Sequence, residues 1–252
     1  MRLSEKLVQA YFDSAYNVAY DFTTARLSRF RKLQTRCVAK LRLKEGDRIL
    51  CVGLGTGNEI SHILGVNKDV EVTGVDYSKT ALKKALQKAE KLGKKIDVHL
   101  MDARCLEFAP GSFDKVLCIH VMDFVGDSQD KEKATKEILR VLKNGGQFVI
   151  TYPSGREEKL GRSLLRDIIR DNLDSGKHPF RAFWGLAAQM LTGLVYLPLL
   201  TRPKKSFYSF HKLEAMIRQL TSGDFQIEEY SSYQDLIAFG KRLNEGGKPD
   251  AF

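Results

Sequence analysis

Cysteine is scarce in this sequence, which has four in 252 residues. Cys51 and Cys118 lie inside apolar runs, and the other two are Cys37 and Cys105. None of the four has the paired spacing that a zinc site or a redox motif requires. We therefore predict buried free thiols, a reducing compartment and no metal site.

The sequence also lacks a recognisable signal segment, a long linker and an internal repeat. Residues 1–6 lead into a mixed polar stretch without an apolar signal core or a small-residue cleavage site, so a cytoplasmic location is expected. Because 43% of the residues are hydrophobic, the chain can bury one large core. We expect a single domain with elaborations.

Acidic residues are the minority among the charged ones. The 31 Asp and Glu residues against 41 Lys and Arg give a formal net charge of +10. This balance favours contact with something anionic, such as nucleic acid, a membrane surface or a phosphorylated substrate. The charge alone does not choose among these partners.

Strand-like and helix-like runs alternate from residue 48 onwards. A tight turn cannot join parallel strands, so this alternation predicts a doubly wound α/β sheet with crossover helices. The predicted strands span residues 48–53, 71–76, 96–101, 113–119, 147–152, 225–230 and 235–240. The predicted helices among them span residues 58–64, 79–92, 131–142 and 210–220.

The remaining segments are predicted to be helical elaborations of the same domain. Residues 1–44 have apolar and aromatic side chains at helical spacing and are predicted to form an N-terminal helical cap. Residues 45–153 form the sheet core, and residues 154–208 form a helical, partly apolar insertion after the fifth strand. Residues 209–252 supply the closing helix and strands.

A glycine-rich loop follows the first predicted strand. Gly53, Gly55 and Gly57 let the backbone turn sharply and approach a ligand closely, since a Cβ would fill the space that the ligand needs. Asp76 is the next acid at a strand end, at about the distance where such folds place a carboxylate on ribose hydroxyls. The loop and Asp76 are thus predicted to hold a nucleoside, whereas the loop alone would fit a simple tight turn.

Two further strand ends carry candidates for a ligand site. Asp102 ends the third predicted strand, where a carboxylate can accept from an adenine amino group, and His120 ends the fourth. The carboxyl ends of parallel strands meet at one edge of an open α/β sheet, which is where these folds bind ligands. We therefore expect Asp76, Asp102 and His120 at the same edge.

These motifs, in this order, resemble class I S-adenosylmethionine-dependent methyltransferases. The resemblance rests on Gly53, Gly55, Gly57, Asp76, Asp102, Phe113-Asp114 and the run 139–146, which ends in Gly145-Gly146. It covers residues 45–153 and the closing strands, and within the superfamily it is nearest to ubiquinone/menaquinone C-methyltransferases and bacterial phospholipid N-methyltransferases. It implies a Rossmann-like, seven-stranded sheet with an antiparallel last strand and S-adenosylmethionine as the cofactor.

The same resemblance implies how the cofactor binds. The glycine loop is expected on its methionine part, with His120 also lining the pocket. Asp76 is expected at the ribose, and Asp102 and Ala103 at the adenine. Tyr77 and Ser78, which follow Asp76, are further candidates for cofactor binding. Cys51 departs from the pattern, because the family usually carries there an acid that organises the methionine end. Two consequences of Cys51 stay open. Either water and backbone groups take the place of the acid, or the activity is lost or altered.

Two other functions compete with this interpretation. A nicotinamide dehydrogenase requires G-x-G-x-x-G, whereas this loop has G-x-G-x-G, so that class is disfavoured. An RNA methyltransferase would fit the basic stretch 26–44 and the lysine stripe at positions 84, 88, 91 and 95. Such a stripe opposite apolar positions is typical of a solvated helix face, and no RNA-binding module accompanies it. Nucleic acid is therefore an unexpected partner.

Residues 182–200 carry no charge and are flanked by cations on both sides. As a helix, these residues would be nearly as long as a bilayer core is thick. A helix that crossed the membrane, however, would put the closing strands on the opposite side from the sheet that they complete. Two interpretations stay open: a lid on the sheet edge, or a segment in the membrane interface with Trp184 and Tyr196 near the headgroups. Both favour a lipophilic acceptor such as a prenylated quinol or a phospholipid.

Methyl transfer needs few catalytic side chains, because the sulfonium already activates the methyl group. His120, followed by Asp123, is the best-placed candidate base for a phenol or quinol acceptor. A histidine that only lines the pocket is the alternative. The tyrosines at 11, 16 and 20 are candidates for an aromatic lid or for core, and Tyr152 for a substrate contact or for core.

Overall fold

The computed structural model describes residues 27–154, 207–230 and 235–243, together with residues 10, 13, 21 and 170. The strands are β1 (Arg48–Val52), β2 (Glu71–Asp76), β3 (Asp97–Leu100), β4 (Phe113–Cys118), β5 (Leu142–Pro153), β6 (Phe225–Tyr230) and β7 (Asp235–Lys241). They form one sheet in the order β3-β2-β1-β4-β5-β7-β6. Only β7 runs antiparallel to its neighbours, β5 and β6. The predicted Rossmann-like seven-stranded sheet with an antiparallel last strand is confirmed.

The helices of the described ranges are α1 (Ser28–Lys40), α2 (Asn58–Val66), α3 (Lys79–Lys91), α4 (Ser128–Val141) and α5 (Phe210–Leu220). α3 begins where the sequence predicted, because the side chain of Ser78 accepts from the Ala81 amide at 3.1 Å. α4 begins at Ser128 rather than at 131, because Asp127 accepts from the amides of Gln129 and Asp130. Capping side chains therefore set both helix starts.

Helices cover both faces of the sheet. Along β1, Leu50 and Val52 point into a core that they share with α4 and α5. Ile49 and Cys51 point the other way, into a core that they share with α1 and α2. This alternation follows from the two-residue period of a strand, and it makes the strand apolar on both faces. Polar side chains are consequently concentrated at the strand ends.

The fifth strand is longer than predicted. It begins at Leu142 rather than at 147, and its register against β4 shifts between Phe113 and Lys115. Gly145, with a φ of 76°, lies in this irregular stretch. The Gly145-Gly146 pair that resembles a family turn is therefore part of a bulged beginning of β5.

The cysteine prediction holds for three of the four residues. Cys37, Cys51 and Cys118 are free and buried. Cys105 is also free but exposed, so its predicted burial was wrong. It lies beyond the end of β3 and pairs only through an isolated bridge with Asp102, outside the core of the sheet.

Several predictions fall outside the described residues. They concern most of the N-terminal cap, including Tyr11, Tyr16 and Tyr20, and nearly all of the insertion, including residues 182–200. Within the described ranges, no helix combines the length and the apolar character needed to cross a membrane. This finding does not extend to residues 182–200.

Candidate functional site

The glycine loop is anchored to the neighbouring strand β2. The amides of Gly53 and Leu54 both donate to the carbonyl oxygen of Val75, at 2.8 and 3.0 Å. Gly74 makes this close approach possible, since a Cβ there would lie 2.2 Å from Cδ2 of Leu54. The loop is thus held directly over the carboxyl end of β2.

The three loop glycines all have positive φ, but they face different surroundings. A Cβ on Gly53 would lie 2.1 Å from a methyl group of Val121, and a Cβ on Gly57 would lie 2.7 Å from Ile60. At Gly55 the nearest atom of the described residues to such a Cβ is 3.9 Å away. The first and third glycines therefore serve packing, whereas Gly55 leaves room, within the described part of the chain, for the close approach of a ligand.

Asp76 ties the loop to the end of β2. Its Oδ2 accepts from the Gly55 amide and its Oδ1 from the Ser78 amide, both at 2.8 Å. Burial raises the pKa of Asp76, and the backbone amides of Ser78, Gly55 and Tyr77 oppose this rise. A carboxylate can accept about four hydrogen bonds, so these three amides leave capacity for one ribose hydroxyl beside Gly55.

The amide and the hydroxyl of Ser78 both form hydrogen bonds within the protein. Besides capping α3, its hydroxyl donates to Asp13 at 2.5 Å, and Asp13 also accepts from the Thr80 amide at 3.1 Å. The residue is only 2% exposed. Its predicted contact with the cofactor therefore stays a prediction, and Tyr77, which is half-buried beside it, is the more accessible of the two.

Asp102 lies at the end of β3 in an ion pair that the sequence did not predict. Arg104 donates to both carboxylate oxygens, with the shortest distance, 2.6 Å, between Nη2 and Oδ2. Arg104 also reaches Asp130 at 3.2 Å. Burial tends to raise the pKa of Asp102, but the bonds from Arg104 lower it overall. Asp102 is thus an ionised acceptor next to Ala103, as an adenine site requires.

His120 occupies an uncommon backbone conformation at the end of β4. Its φ is 58°, a left-handed value that histidine adopts more readily than most residues. Its amide donates to Oγ1 of Thr151 at 2.8 Å, and the ring of Phe30 lies edge-on at 5.6 Å. Val121, the next residue, packs against Gly53. His120 is therefore fixed beside the glycine loop.

The imidazole of His120 pairs with Asp235, the first residue of β7. Nε2 lies 3.0 Å from Oδ2 of Asp235, which is almost fully buried. Burial lowers the pKa of His120, but the Asp235 carboxylate outweighs it and raises the pKa to about 9. At neutral pH the ring is thus a cation, which limits its value as a base.

Asp235 was missed by the sequence analysis, because its role depends on topology. β7 runs antiparallel to β5, so its first residue pairs with Pro153 at the carboxyl end of β5. Asp123, the other base candidate, lies three residues after His120 and reaches solvent. Desolvation by the surrounding protein raises the pKa of Asp123, against the opposing charge of His120.

Behind the loop, Cys51 and Glu59 are both buried, with exposed fractions of 2% and 7%. Burial raises the pKa of the Cys51 thiol, so this side chain is neutral. Glu59, in the first turn of α2, accepts at Oε1 from Nε2 of Gln34 at 2.9 Å. Burial raises the pKa of Glu59 as well. An acid therefore lies close behind the loop, although not at position 51.

Two lysines of the predicted solvated stripe are engaged at the loop. Lys88 donates to Asp21 and to Asn58, both at 2.7 Å, and to Thr56 at 2.9 Å. Thr56, inside the glycine loop, also donates to Asp21. Lys84 lies 3.5 Å from the same carboxylate. Lys88 thus contacts the loop directly, and Lys84 shares its carboxylate partner.

Tyr152 is a core residue and not a substrate contact. Its ring is fully buried against Tyr208 at 5.4 Å, and its hydroxyl is 2.8 Å from Oγ1 of Thr135. Substrate would have no access to it. The sequence left open whether Tyr152 contacts substrate or belongs to the core, and the structure places it in the core.

Comparisons with known proteins agree with this geometry. A family profile described as a methyltransferase domain matches residues 50–150. The phosphatidylethanolamine N-methyltransferase of Cereibacter sphaeroides is 32% identical over 144 residues, which are 55% of this chain and 65% of that protein. The ubiquinone biosynthesis O-methyltransferase of Thiobacillus denitrificans is 30% identical over 168 residues, 61% of this chain and 70% of that protein.

A solved structure supports the fold. The SAM-dependent methyltransferase from Aquifex aeolicus superposes with a TM-score of 0.53 and 16% identity, over 86% of this chain and 92% of that one. At this identity the similarity concerns the fold alone. The chain spans slightly less than two thirds of the length of the phosphatidylethanolamine enzyme.

Proposed function

Because this chain belongs to the class I S-adenosylmethionine-dependent methyltransferases, we propose that it transfers a methyl group from this cofactor to a lipophilic small molecule. A prenylated quinol or a phospholipid is the expected kind of acceptor. The observation that carries the proposal is the similarity to two enzymes named for phosphatidylethanolamine and for ubiquinone biosynthesis. The uncharged run 182–200 in the sequence supports the same class of acceptor.

The described residues fit the cofactor. S-adenosylmethionine supplies a methyl group on a sulfonium when it is bound. Gly55 leaves room for a close approach to the backbone, and Asp76 beside it offers an acceptor for a ribose hydroxyl. Asp102, held ionised by Arg104, offers an acceptor for an adenine amino group. Gly53, Gly57, Tyr77, Ser78, Ala103 and His120 complete the proposed pocket.

The acceptor side of the site is assigned to His120 and Asp123. His120, held as a cation by Asp235, donates a hydrogen bond to an acceptor oxygen and stabilises negative charge on it. Asp123 takes the proton of a phenol or quinol, since a carboxylate with a raised pKa is still ionised near neutral pH and is a better base than usual. An amine acceptor would need only to arrive unprotonated.

Membrane contact is proposed for the segment 182–200. Its lack of charge and its flanking cations favour a position in the interface of an anionic bilayer. A cytoplasmic enzyme that touches the membrane through this segment would meet a lipophilic acceptor directly. Co-sedimentation with anionic vesicles, compared with the variant Leu191→Glu, tests this contact.

The substrate is tested by incubating the protein with methyl-labelled S-adenosylmethionine and a host lipid extract. We expect label in the organic phase, and much less of it when Asp76→Ala replaces the wild type at a cofactor concentration that does not saturate the enzyme. Label in added RNA would favour the RNA alternative, which the internal pairing of Lys84 and Lys88 already weakens. Cofactor binding without label in any fraction would instead support a binding protein that has lost activity.

A further inference from the structure

The cofactor site lacks a negative charge at the position where the resembling enzymes carry one. Cys51, two residues before the first loop glycine, is a buried and neutral thiol. The methionine part of S-adenosylmethionine carries an ammonium group, and burying a cation without a partner is costly. The cation therefore needs an acid from elsewhere in the chain.

Glu59 is the buried acid nearest in sequence to the loop. It lies in the first turn of α2, whose N-cap is Gly57, and it is 7% exposed. Gln34 of α1 fixes one of its oxygens, Oε1, at 2.9 Å. The following residue, Ile60, packs where a Cβ of Gly57 would lie. Glu59 is thus built rigidly onto the back of the cofactor loop.

Glu59 makes no ion-pair contact with a basic side chain in the described part of the chain, although the charges of Lys88 and His120 act on it. Gln34, a neutral amide, is its side-chain donor there. Lys88, the cation that lies closest to the loop, is bonded to Asp21, Thr56 and Asn58 instead. A buried carboxylate in this state gains stability from any cation that reaches it.

The local chain places Glu59 next to the cofactor loop, two residues after Gly57 and in contact with Gln34 of α1. Its charge acts on Cys51 at the end of β1 and on His120 at the end of β4. Lys88 of α3 and Cys37 of α1 also interact electrostatically with it. Glu59 is therefore coupled to the strand that enters the loop and to the strand that faces it.

We propose that Glu59 replaces the acid missing at position 51 and binds the ammonium group of the methionine part of S-adenosylmethionine. The negative charge has moved from β1 to the first turn of α2, where the helix dipole also favours an acid. The inference rests on the use of S-adenosylmethionine but not on the proposed lipophilic acceptor. It explains how a thiol is tolerated at position 51.

Calorimetric titration of Glu59→Gln with two ligands tests the proposal. S-adenosylmethionine should bind at least tenfold more weakly than to the wild type. 5′-Methylthioadenosine, which keeps the nucleoside and sulfur but lacks the ammonium and carboxylate, should bind with unchanged affinity. Glu90→Gln removes an exposed acid from α3 and should change neither affinity. Equal effects on both ligands, or no effect on either, would overturn the assignment.

A charge swap gives the second test. Cys51→Asp combined with Glu59→Gln returns the acid to β1 and should restore most of the affinity for S-adenosylmethionine, whereas no recovery would contradict the proposal. If Glu59→Gln does not fold, Glu59→Asp takes its place, because it keeps the charge but shortens its reach, and the same selective loss is expected. A wild type that does not bind S-adenosylmethionine would refute the cofactor itself, which is a distinguishable result.

Discussion

The two halves of the site are built in different ways. The cofactor half joins residues that are near in sequence, such as Gly55 and Asp76, through backbone amides and positive φ angles. The acceptor half joins residues that are far apart, such as His120 and Asp235, through side-chain charges. The first half depends on backbone shape and the second on electrostatics, and each should fail in its own way.

The largest effect is expected from alanine at two loop glycines. Gly53→Ala places a Cβ 2.1 Å from Val121 at a positive φ, so it should destabilise the fold by roughly 3 kcal/mol or more. Among the described residues, Gly55→Ala meets no atom closer than 3.9 Å, so it should cost the fold only about 1–2 kcal/mol. Denaturant unfolding measures both changes.

Gly53→Ala and Gly55→Ala also distinguish an effect on the fold from an effect on cofactor binding. Gly55→Ala should retain a folded protein but bind S-adenosylmethionine at least tenfold more weakly, because the new methyl group takes space that the ligand needs. Titration of the folded variant checks this. Normal affinity in Gly55→Ala would mean that the cofactor does not approach the loop there.

The second prediction concerns the electrostatic half. A rise of the His120 pKa from about 6.5 to about 9 corresponds to roughly 3 kcal/mol of stability. Since the folded pKa is the higher one, this contribution is fully present below about pH 6.5 and is lost as the pH rises through about 9. The wild type should therefore lose stability over this range.

Asp235→Asn should weaken that pH dependence strongly. It removes the carboxylate that raises the His120 pKa most, so that burial, which lowers the pKa, is opposed only by the charges of Asp123 and Glu59, and the pKa should fall well below about 9. NMR titration of the His120 ring measures the shift, and unfolding at several pH values measures the stability. Asp224→Asn, at an exposed acid before β6, is the matched control. An unchanged His120 pKa in Asp235→Asn would contradict the proposal that charge pairing determines the state of this half of the site.

The smallest effect is expected from Asp76→Ala. If Asp76 binds a ribose hydroxyl through a charge-assisted bond of roughly 1.5–3 kcal/mol, its loss should weaken cofactor binding by at least tenfold. The His120 titration should not change, since Asp76 belongs to the other half of the site. Asp69→Ala, at an exposed acid before β2, serves as the control in the same calorimetric titration. Unchanged affinity would show that Asp76 acts only through its bonds to Gly55 and Ser78.

The sequence predicted local elements of the fold better than contacts between distant residues. The bounds of β2 and α5 were predicted to the residue, because alternation and helical spacing are local signals. The pairing of His120 with Asp235 depends on the strand order β5-β7-β6, which no short pattern encodes. The beginning of β5 was misplaced because its bulge extends the strand past two glycines.

The placement of Glu59 and Arg104 shows a second limit. Both are charged residues next to a recognised motif, and from the sequence either one fits an ordinary exposed position. Their roles became apparent from burial in one case and from a 2.6 Å contact in the other. An acid just inside a helix that follows a glycine loop, together with a missing acid before that loop, is the sequence signal that would have identified Glu59.

The position of β7 has a consequence for synthesis of the chain. β7 is the last described strand in sequence, yet it lies between β5 and β6 in the sheet. A nascent chain that has emerged only through β5 can already pair β1 to β5 and form the loop and Asp76. Until β7 follows, β6 has no neighbour among the described strands, and the carboxylate of Asp235 is not yet beside His120. During translation, the capacity to bind cofactor should therefore arise before the capacity to use it.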